Sequence, residues 1–581
     1  MTWTQNYDPF NNIALSALVA AIPIFFLFWA LAIKKMKGYI AGLLTLLLAI
    51  IVVVLEYKMP VNLALMAAVN GALYGLFPIG WIVITAVYLY NLTVKAGQFE
   101  IIKDSIASIT EDRRLQALLI AFSFGAFLEG AAGFGTPVAI TAAMLVGLGF
   151  NPLYAAGICL IANTAPVAFG GIGIPIIVAG QVTGIDAMAI SKMVGRQLPL
   201  LSVAIPAWLV FIMSGWKGLL EVLPAVLVTG ISFAVAQWFS ANYLSPMLPD
   251  IISSLVSIIA LVLFLKVWKP KNIWRFANEP PATLQVKKHS TGAILKAWSP
   301  FIVLTILVGD WGLNQVKNVL DLVTLKFHVP GLDGLIYKPG ADKAMEAIFK
   351  FNWLSAAGTA ILISAIITIL ILRISLKDAI AVFKETLASL KFPLINIAAV
   401  LGFAYVANFS GMSQTLGLSL TVTGKAFAFL SPMLGWLGVF ITGSDTSANA
   451  LFAKLQAASA EKLGIDPVLT VAANSSGGVT GKMISPQSIA VATASVGLVG
   501  KEAELFRFTV LHSFLFAVVV GIITYLQAYY LKSWIPVYKM IESAGAAAQA
   551  QVETGPGLTI LGITAVVILA LWGLVAAFNK K

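Results

Sequence analysis

The stretch Phe124-Gly-Ala-Phe-Leu-Glu-Gly-Ala-Ala-Gly-Phe-Gly-Thr-Pro137 is too apolar for a loop and too broken for a straight helix. Gly133, Gly135 and Pro137 interrupt it, and Glu129 sets a carboxyl in its middle. Three further stretches share this character: Asn163-Thr-Ala-Pro-Val-Ala-Phe-Gly-Gly-Ile-Gly-Ile-Pro175, Thr442-Gly-Ser-Asp-Thr-Ser-Ala-Asn449 and Asn474-Ser-Ser-Gly-Gly-Val-Thr-Gly-Lys-Met-Ile-Ser-Pro486. In lipid every backbone N–H and C=O needs an internal partner. Irregular backbone at membrane depth is therefore tolerated only against protein or a watery cavity.

Composition makes lipid the solvent. Of 581 residues, 59% are apolar and 11% charged, against roughly 45–50% and 25% in soluble proteins. Mean hydropathy is +0.93. This balance excludes soluble enzymes, nucleic-acid partners and secreted disulfide scaffolds. The net charge of +12 reads as basic loops facing the cytoplasmic leaflet. Cys159 is the single cysteine, in an apolar run, and forms no intramolecular disulfide. His289, His328 and His512 are scattered, which argues against a metal site.

Spans of roughly 20 apolar residues are expected at Ile13–Ile33, Gly38–Leu55, Leu198–Ser214, Leu219–Phe239, Ile251–Leu265, Trp298–Gly312, Trp353–Leu372, Phe506–Leu531 and Leu558–Phe578. Asp8 and no basic residue precede the first, so it reads as a retained span and not a signal peptide. Val61–Val94 is longer than one span needs, with Gly75, Pro78 and Gly80 placed to bend it. The expected fold is an all-α polytopic membrane protein of about 12–14 transmembrane helices, counted from the span length. It has two pseudo-symmetric halves related as an inverted repeat, with broken or re-entrant helices at the midplane. One half covers residues 1–265, with its broken region at about 115–184. A basic linker at 266–297, carrying Pro270, Pro280 and Pro281, leads to the other half at 298–581. That half holds an insertion at about 314–350 and a broken region at about 392–500. Basic residues at Lys34, Lys35 and Lys37, at Lys95, Lys103, Arg113 and Arg114, and in the linker set the orientation. The N-terminus lies outside and the C-terminus, ending Asn579-Lys580-Lys581, lies inside, provided Val61–Val94 crosses once.

The broken regions echo one another. In each an Ala-Asn step opens a glycine-rich passage, with proline twelve residues after the asparagine: Asn163 to Pro175 and Asn474 to Pro486. An acid, Glu129 or Asp445, lies about thirty residues before each asparagine. Thr136-Pro137 and Ser485-Pro486 both read as a hydroxyl N-cap followed by proline at the first helical position. Two half-helices would start within the membrane and direct free N–H groups at an anion.

Charged residues in such surroundings are functional candidates, because each costs about 2.5–3.5 kcal/mol at a helix centre. Glu129, Asp445 and Lys482 are the deepest by sequence. Desolvation favours the neutral form of a carboxylic acid, so Glu129 or Asp445 is a candidate proton carrier. Lys482 is a candidate counter-charge for a substrate carboxylate. Arg196 is a further candidate carboxylate contact, or else an interfacial side chain. Asp310 and His512 read as an interfacial acid and a hydrogen-bonded packing residue.

Phe127-Leu-Glu-Gly-Ala-Ala-Gly-Phe-Gly-Thr-Pro-Val-Ala-Ile140 resembles the signature of the L-lactate permease family. Ala162–Gly170, Gly443–Phe452 and Gly477–Ser488 resemble further stretches of it, and the likeness in length and hydropathy extends over essentially the whole chain. The resemblance implies a multi-pass carrier of the bacterial plasma (inner) membrane. It would import L-lactate, with related 2-hydroxy monocarboxylates such as D-lactate and glycolate, by proton symport. The residues alone reach a secondary transporter for a small anion.

The substrate carboxylate is expected near the backbone of Gly135, Thr136 and Ser485, with Lys482 opposite. Asn163, Asn474 or Ser444 would bond the 2-hydroxyl. No cofactor is expected beyond the proton as coupling ion; the partners are substrate and lipid, and the oligomeric state stays open. A sodium-coupled carrier for another small organic anion is the near alternative, and an intramembrane enzyme the distant one.

Overall fold

The computed structural model describes residues 2–133, 136–277, 279, 287–538 and 555–578. Gly135, Pro280, Pro281, most of the 543–557 stretch and Asn579-Lys580-Lys581 lie outside the described residues, as do the side chains of Ala32, Thr136 and Phe578.

Eleven helices carry the argument. They are α1 (Val61–Lys95), α2 (Arg113–Ala131), α3 (Thr136–Gly147), α4 (Pro152–Ala162), α5 (Gly170–Thr183), α6 (Pro249–Val267), α7 (Leu376–Ser410), α8 (Phe427–Thr442), α9 (Asp445–Leu463), α10 (Pro467–Lys482) and α11 (Pro486–Ser495). Among the described residues, ten helices are long and apolar enough to cross a membrane, or twelve if each bent pair is one span. Leu198–Leu244 counts there as one helix, but Gly215 takes a positive φ of 67° within it. The Ser202 hydroxyl donates to Gln237 Oε1 at 2.8 Å, so the chain folds back and makes two arms, as the sequence indicates.

Val61–Val94 does not double back. Along α1 and α7, Gly71 lies on Leu401, Gly75 on Ala398 and Gly80 on Leu394. Asn91 donates to Thr386 and Tyr88 to the Ala379 carbonyl. The two helices are thus antiparallel neighbours over their whole length. A local break at Phe77 bends α1 without turning it.

The basic loops gather at one end. Tyr39, next to the Lys34–Lys37 loop, stacks on Phe392, at the level where α7 projects beyond Gly38. The linker docks on the other basic stretch: Trp274 N–H donates to Asp112 Oδ2 at 2.9 Å, and Arg113 pairs with Glu279. The 314–350 insertion lies at the opposite end and departs from an all-α pattern. Leu325–His328 pairs antiparallel with Ile348–Phe351, and the N-terminal Trp3–Thr4 pairs in parallel with Ile336–Tyr337. The chain's start and the insertion therefore share a face.

Both broken regions build the same succession. A helix (α2, α8) ends at a glycine-rich tip and a second (α3, α9) follows it. A third, capped by a polar residue before proline (α4 after Asn151, α10 after Asp466), comes next. After a break, a fourth helix starts (α5, α11). α4 and α5 are bent by 65° at their break. In the second half backbones approach closely. A Cβ on Gly477 would overlap the Pro432 carbonyl oxygen, and one on Gly481 that of Trp436, so α8 and α10 pack as small-residue membrane interfaces do.

Candidate functional site

The four breaks meet around one cavity of about 80 Å³. A single water needs about 10–15 Å³, so the space suits a small solute. Glu129 and Gly133 come from the end of α2, Gly171 from the start of α5, Ser444 and Asp445 from the α8–α9 tip, and Lys482 and Gln487 from either side of the α10–α11 break. Gly171, Ile172 and Gly173 are all left-handed, so α5 becomes regular only at Ile174.

Glu129 and Lys482 join the two halves. Lys482 Nζ donates to Glu129 Oε1 at 2.7 Å, with both side chains nearly buried. Asn163 Nδ2 donates to the other oxygen at 2.9 Å. Gly170 lies so close that a Cβ there would sit 2.6 Å from Glu129 Oε1. Lys482 ends α10, where the helix dipole favours a cation. Glu129 sits in the last turn of α2, where the dipole disfavours an anion, so Lys482 and Asn163 supply the compensation.

Asp445 is the first residue of α9, a position that favours a carboxylate. Ser475 donates to its Oδ2, and Oδ1 has no partner among the described residues. Ser444 caps α9, its hydroxyl accepting from Ser447 N–H at 3.2 Å, and lines the cavity. Ser485 caps α11 in the same way, accepting from Ser488 N–H at 3.1 Å. α11 packs against α3, so the two helices that open with a hydroxyl residue and proline in the sequence are in contact. The Thr136 hydroxyl and Gly135 fall outside the described residues.

Two candidates sit elsewhere. Asn474 is one layer behind the cavity. Its Nδ2 donates to Asn449 Oδ1 at 2.9 Å and its Oδ1 accepts from Gln456 at 2.8 Å, a network that ties α8, α9 and α10 together. Asn163, its sequence counterpart, holds Glu129 instead. Arg196 does not reach the cavity: its guanidinium donates to Asn242 Oδ1 at 3.0 Å and the Trp534 carbonyl at 2.7 Å. Its place just before Leu198, at the end of a span, puts it at the periphery. Asp310 accepts from Thr564 of the last helix, and His512 Nδ1 accepts from Trp208 Nε1 at 3.2 Å, both packing contacts.

Sequence reading missed Gln487, which lines the central cavity and an adjoining one of about 320 Å³. This second space is walled by Tyr39, Phe392 and Asn396 and leads toward the end with the basic loops. Asp250 was also missed. It is fully buried, although Leu-Pro-Asp before an apolar run reads as an ordinary helix start at the membrane surface.

Comparison with known proteins identifies the family. The family model for L-lactate permease matches residues 16–531. The chain is 59% identical over 562 residues to the L-lactate permease of Bacillus subtilis, covering 92% of this chain and all of that one. It is 57% identical to Glycolate permease GlcA of Escherichia coli, over 91% of this chain and 98% of that one. Among solved structures, the YdaH transporter of Alcanivorax borkumensis has 13% identity and a TM-score of 0.45, covering 81% of this chain and 90% of that one. MtrF of Neisseria gonorrhoeae has 13% identity and a TM-score of 0.43, over 79% and 83%. The match over nearly the whole length is decisive: the chain belongs to the L-lactate permease family.

Proposed function

We propose that this protein is a secondary active transporter that imports L-lactate, with D-lactate and glycolate as further substrates, across the bacterial plasma membrane together with a proton. The names of its relatives support the substrate class. The Glu129–Lys482 pair at the cavity wall carries the mechanism.

A 2-hydroxy monocarboxylate brings one negative charge. With the pair intact, Lys482 is already neutralised and a second anion beside Glu129 is repelled. If Glu129 takes a proton as the substrate arrives, Lys482 is released to the substrate carboxylate, and cavity charge is unchanged. Substrate and proton then enter together, because either alone would leave an uncompensated charge in a low-dielectric space. The N–H groups that open α11 assist the carboxylate, Ser444 and Gln487 are placed for the 2-hydroxyl, and Asp445 is the second carboxyl able to hold a proton. The basic end faces the cytoplasm, with the N-terminus outside.

One proton per monocarboxylate moves no net charge. Each pH unit across the membrane supplies about 1.4 kcal/mol, a ten-fold accumulation. The test is uptake of labelled L-lactate into proteoliposomes under an imposed pH gradient, with choline replacing sodium. Accumulation driven by the gradient and indifferent to membrane potential is expected. A requirement for sodium, or strong drive by potential at a fixed gradient, would refute the reading.

A further inference from the structure

Asp250 is the second residue of α6, and its side chain is wholly buried. Neither carboxylate oxygen has a hydrogen-bond partner among the described residues. Desolvating an ionised carboxylate with nothing to bond it is among the costliest arrangements a protein can hold. A purely structural position would be filled at less cost by an apolar residue.

Its surroundings give it a task. Gly130 of α2 presses directly on it, so that a Cβ at Gly130 would lie 2.7 Å from Asp250 Cβ. Glu129 is the next residue along the same helix. On its other side, the chain leading to Asp250, through Ser245, Pro246 and Met247, lines a cavity of about 690 Å³. Trp311 and Asn314 also line that space, which places it at the end bearing the insertion. Asp250 thus packs beside Glu129 on α2 and follows closely in the chain on Met247 of the vestibule wall, while the substrate cavity adjoins the opposite vestibule.

The charged groups acting on Asp250 are Glu129 and Lys482. The vestibule adds Asp186, Lys192 and Lys317 at its wall. Of the other elements packed on α6, residues 117–124 and 240–244 carry no charge. The hairpin arms bear only Lys217 and Glu221, near Gly215 at the far end, where Arg114 holds Glu221.

We propose that Asp250 relays the transported proton between the vestibule at the insertion end and Glu129, by a path separate from that of the substrate; this rests on the proton-coupled reading above. As a substrate carboxylate takes Lys482, the Asp250 O–H passes its proton to Glu129. Asp250 is then reprotonated from the vestibule, so one proton enters per substrate bound.

The test uses Asp250→Asn, Asp250→Glu and wild-type proteoliposomes, each measured for lactate counterflow, pH-driven uptake and lactate-dependent proton movement. Counterflow needs no proton release. Asp250→Asn should therefore keep it while losing pH-driven uptake and proton movement by about 10-fold or more, as loss of a proton-transfer group does, and Asp250→Glu should recover part of both. Asp250→Asn matching wild type in all three assays would overturn the relay. So would equal loss of counterflow and driven uptake in a monodisperse protein, which would put Asp250 in substrate passage itself. A wild type that exchanges lactate without moving protons would instead remove the proton-coupled reading, and the relay with it.

Discussion

Replacing Lys482 by methionine isolates the ion pair between the halves. At 2.7 Å and an effective dielectric of about 20, the attraction is about 6 kcal/mol. Desolvating each ion costs several kcal/mol, so the intact pair nets close to zero, whereas removing one partner costs about 3–5 kcal/mol. Lys482→Met alone should therefore destabilise the protein strongly, because Glu129 keeps only Asn163. Glu129→Gln with Lys482→Met should recover most of that loss. Substrate affinity should behave differently: losing the cation costs at least about 2 kcal/mol, roughly 30-fold in Kd, and the double variant should not restore it. Thermal unfolding in detergent reads the first effect and equilibrium binding of labelled lactate the second. Additive stability changes in the two single variants would show that the pair is not coupled. Lactate binding at wild-type strength in Lys482→Met would remove the lysine from the substrate site.

Two further perturbations probe what holds the site in place. Gly481→Ala forces a methyl onto the Trp436 carbonyl and should cost about 1–3 kcal/mol by overpacking. Gly562→Ala, which meets nothing within 4 Å, should be harmless, and equal melting temperatures for the two would contradict the tight α8–α10 packing. In the linker, burial pushes the Glu279 carboxyl up, but Arg113 and Arg275 outweigh it and hold it below its ordinary 4.5. A group depressed on folding stabilises above its unfolded value and loses that contribution as pH falls through the folded one. The protection factors of Trp274 and its neighbours should thus stay high at neutral pH and fall once the pH drops below the ordinary 4.5. Glu279→Gln should show the lower protection already at pH 7, and unchanged protection would argue against the clamp.

The sequence determined the solvent, the spans and the places where helices fail, because these are local matters. The largely apolar run Gly38–Leu55 has few alternatives to spanning, and Ser485-Pro486 is a strong helix start. The hydrophobic runs also placed both arms at Gly215, whereas the single crossing of α1 was a condition of the orientation, and its antiparallel packing on α7 meets it. Which polar residues face the cavity was not local. Asn163 and Asn474 occupy matching places in the sequence echo, yet one holds Glu129 and the other braces three helices, because that choice depends on which neighbour each tip meets. Arg196 read as a carboxylate contact or an interfacial side chain, and its bonds to Asn242 and Trp534 favour the second. Asp250, just before the Ile251–Leu265 run, drew no reading from the sequence, and its burial came from α2 closing over it. Burial is a property of what packs against a residue from elsewhere in the chain, so partners 353 residues apart, such as Glu129 and Lys482, became a pair only when the helices came together.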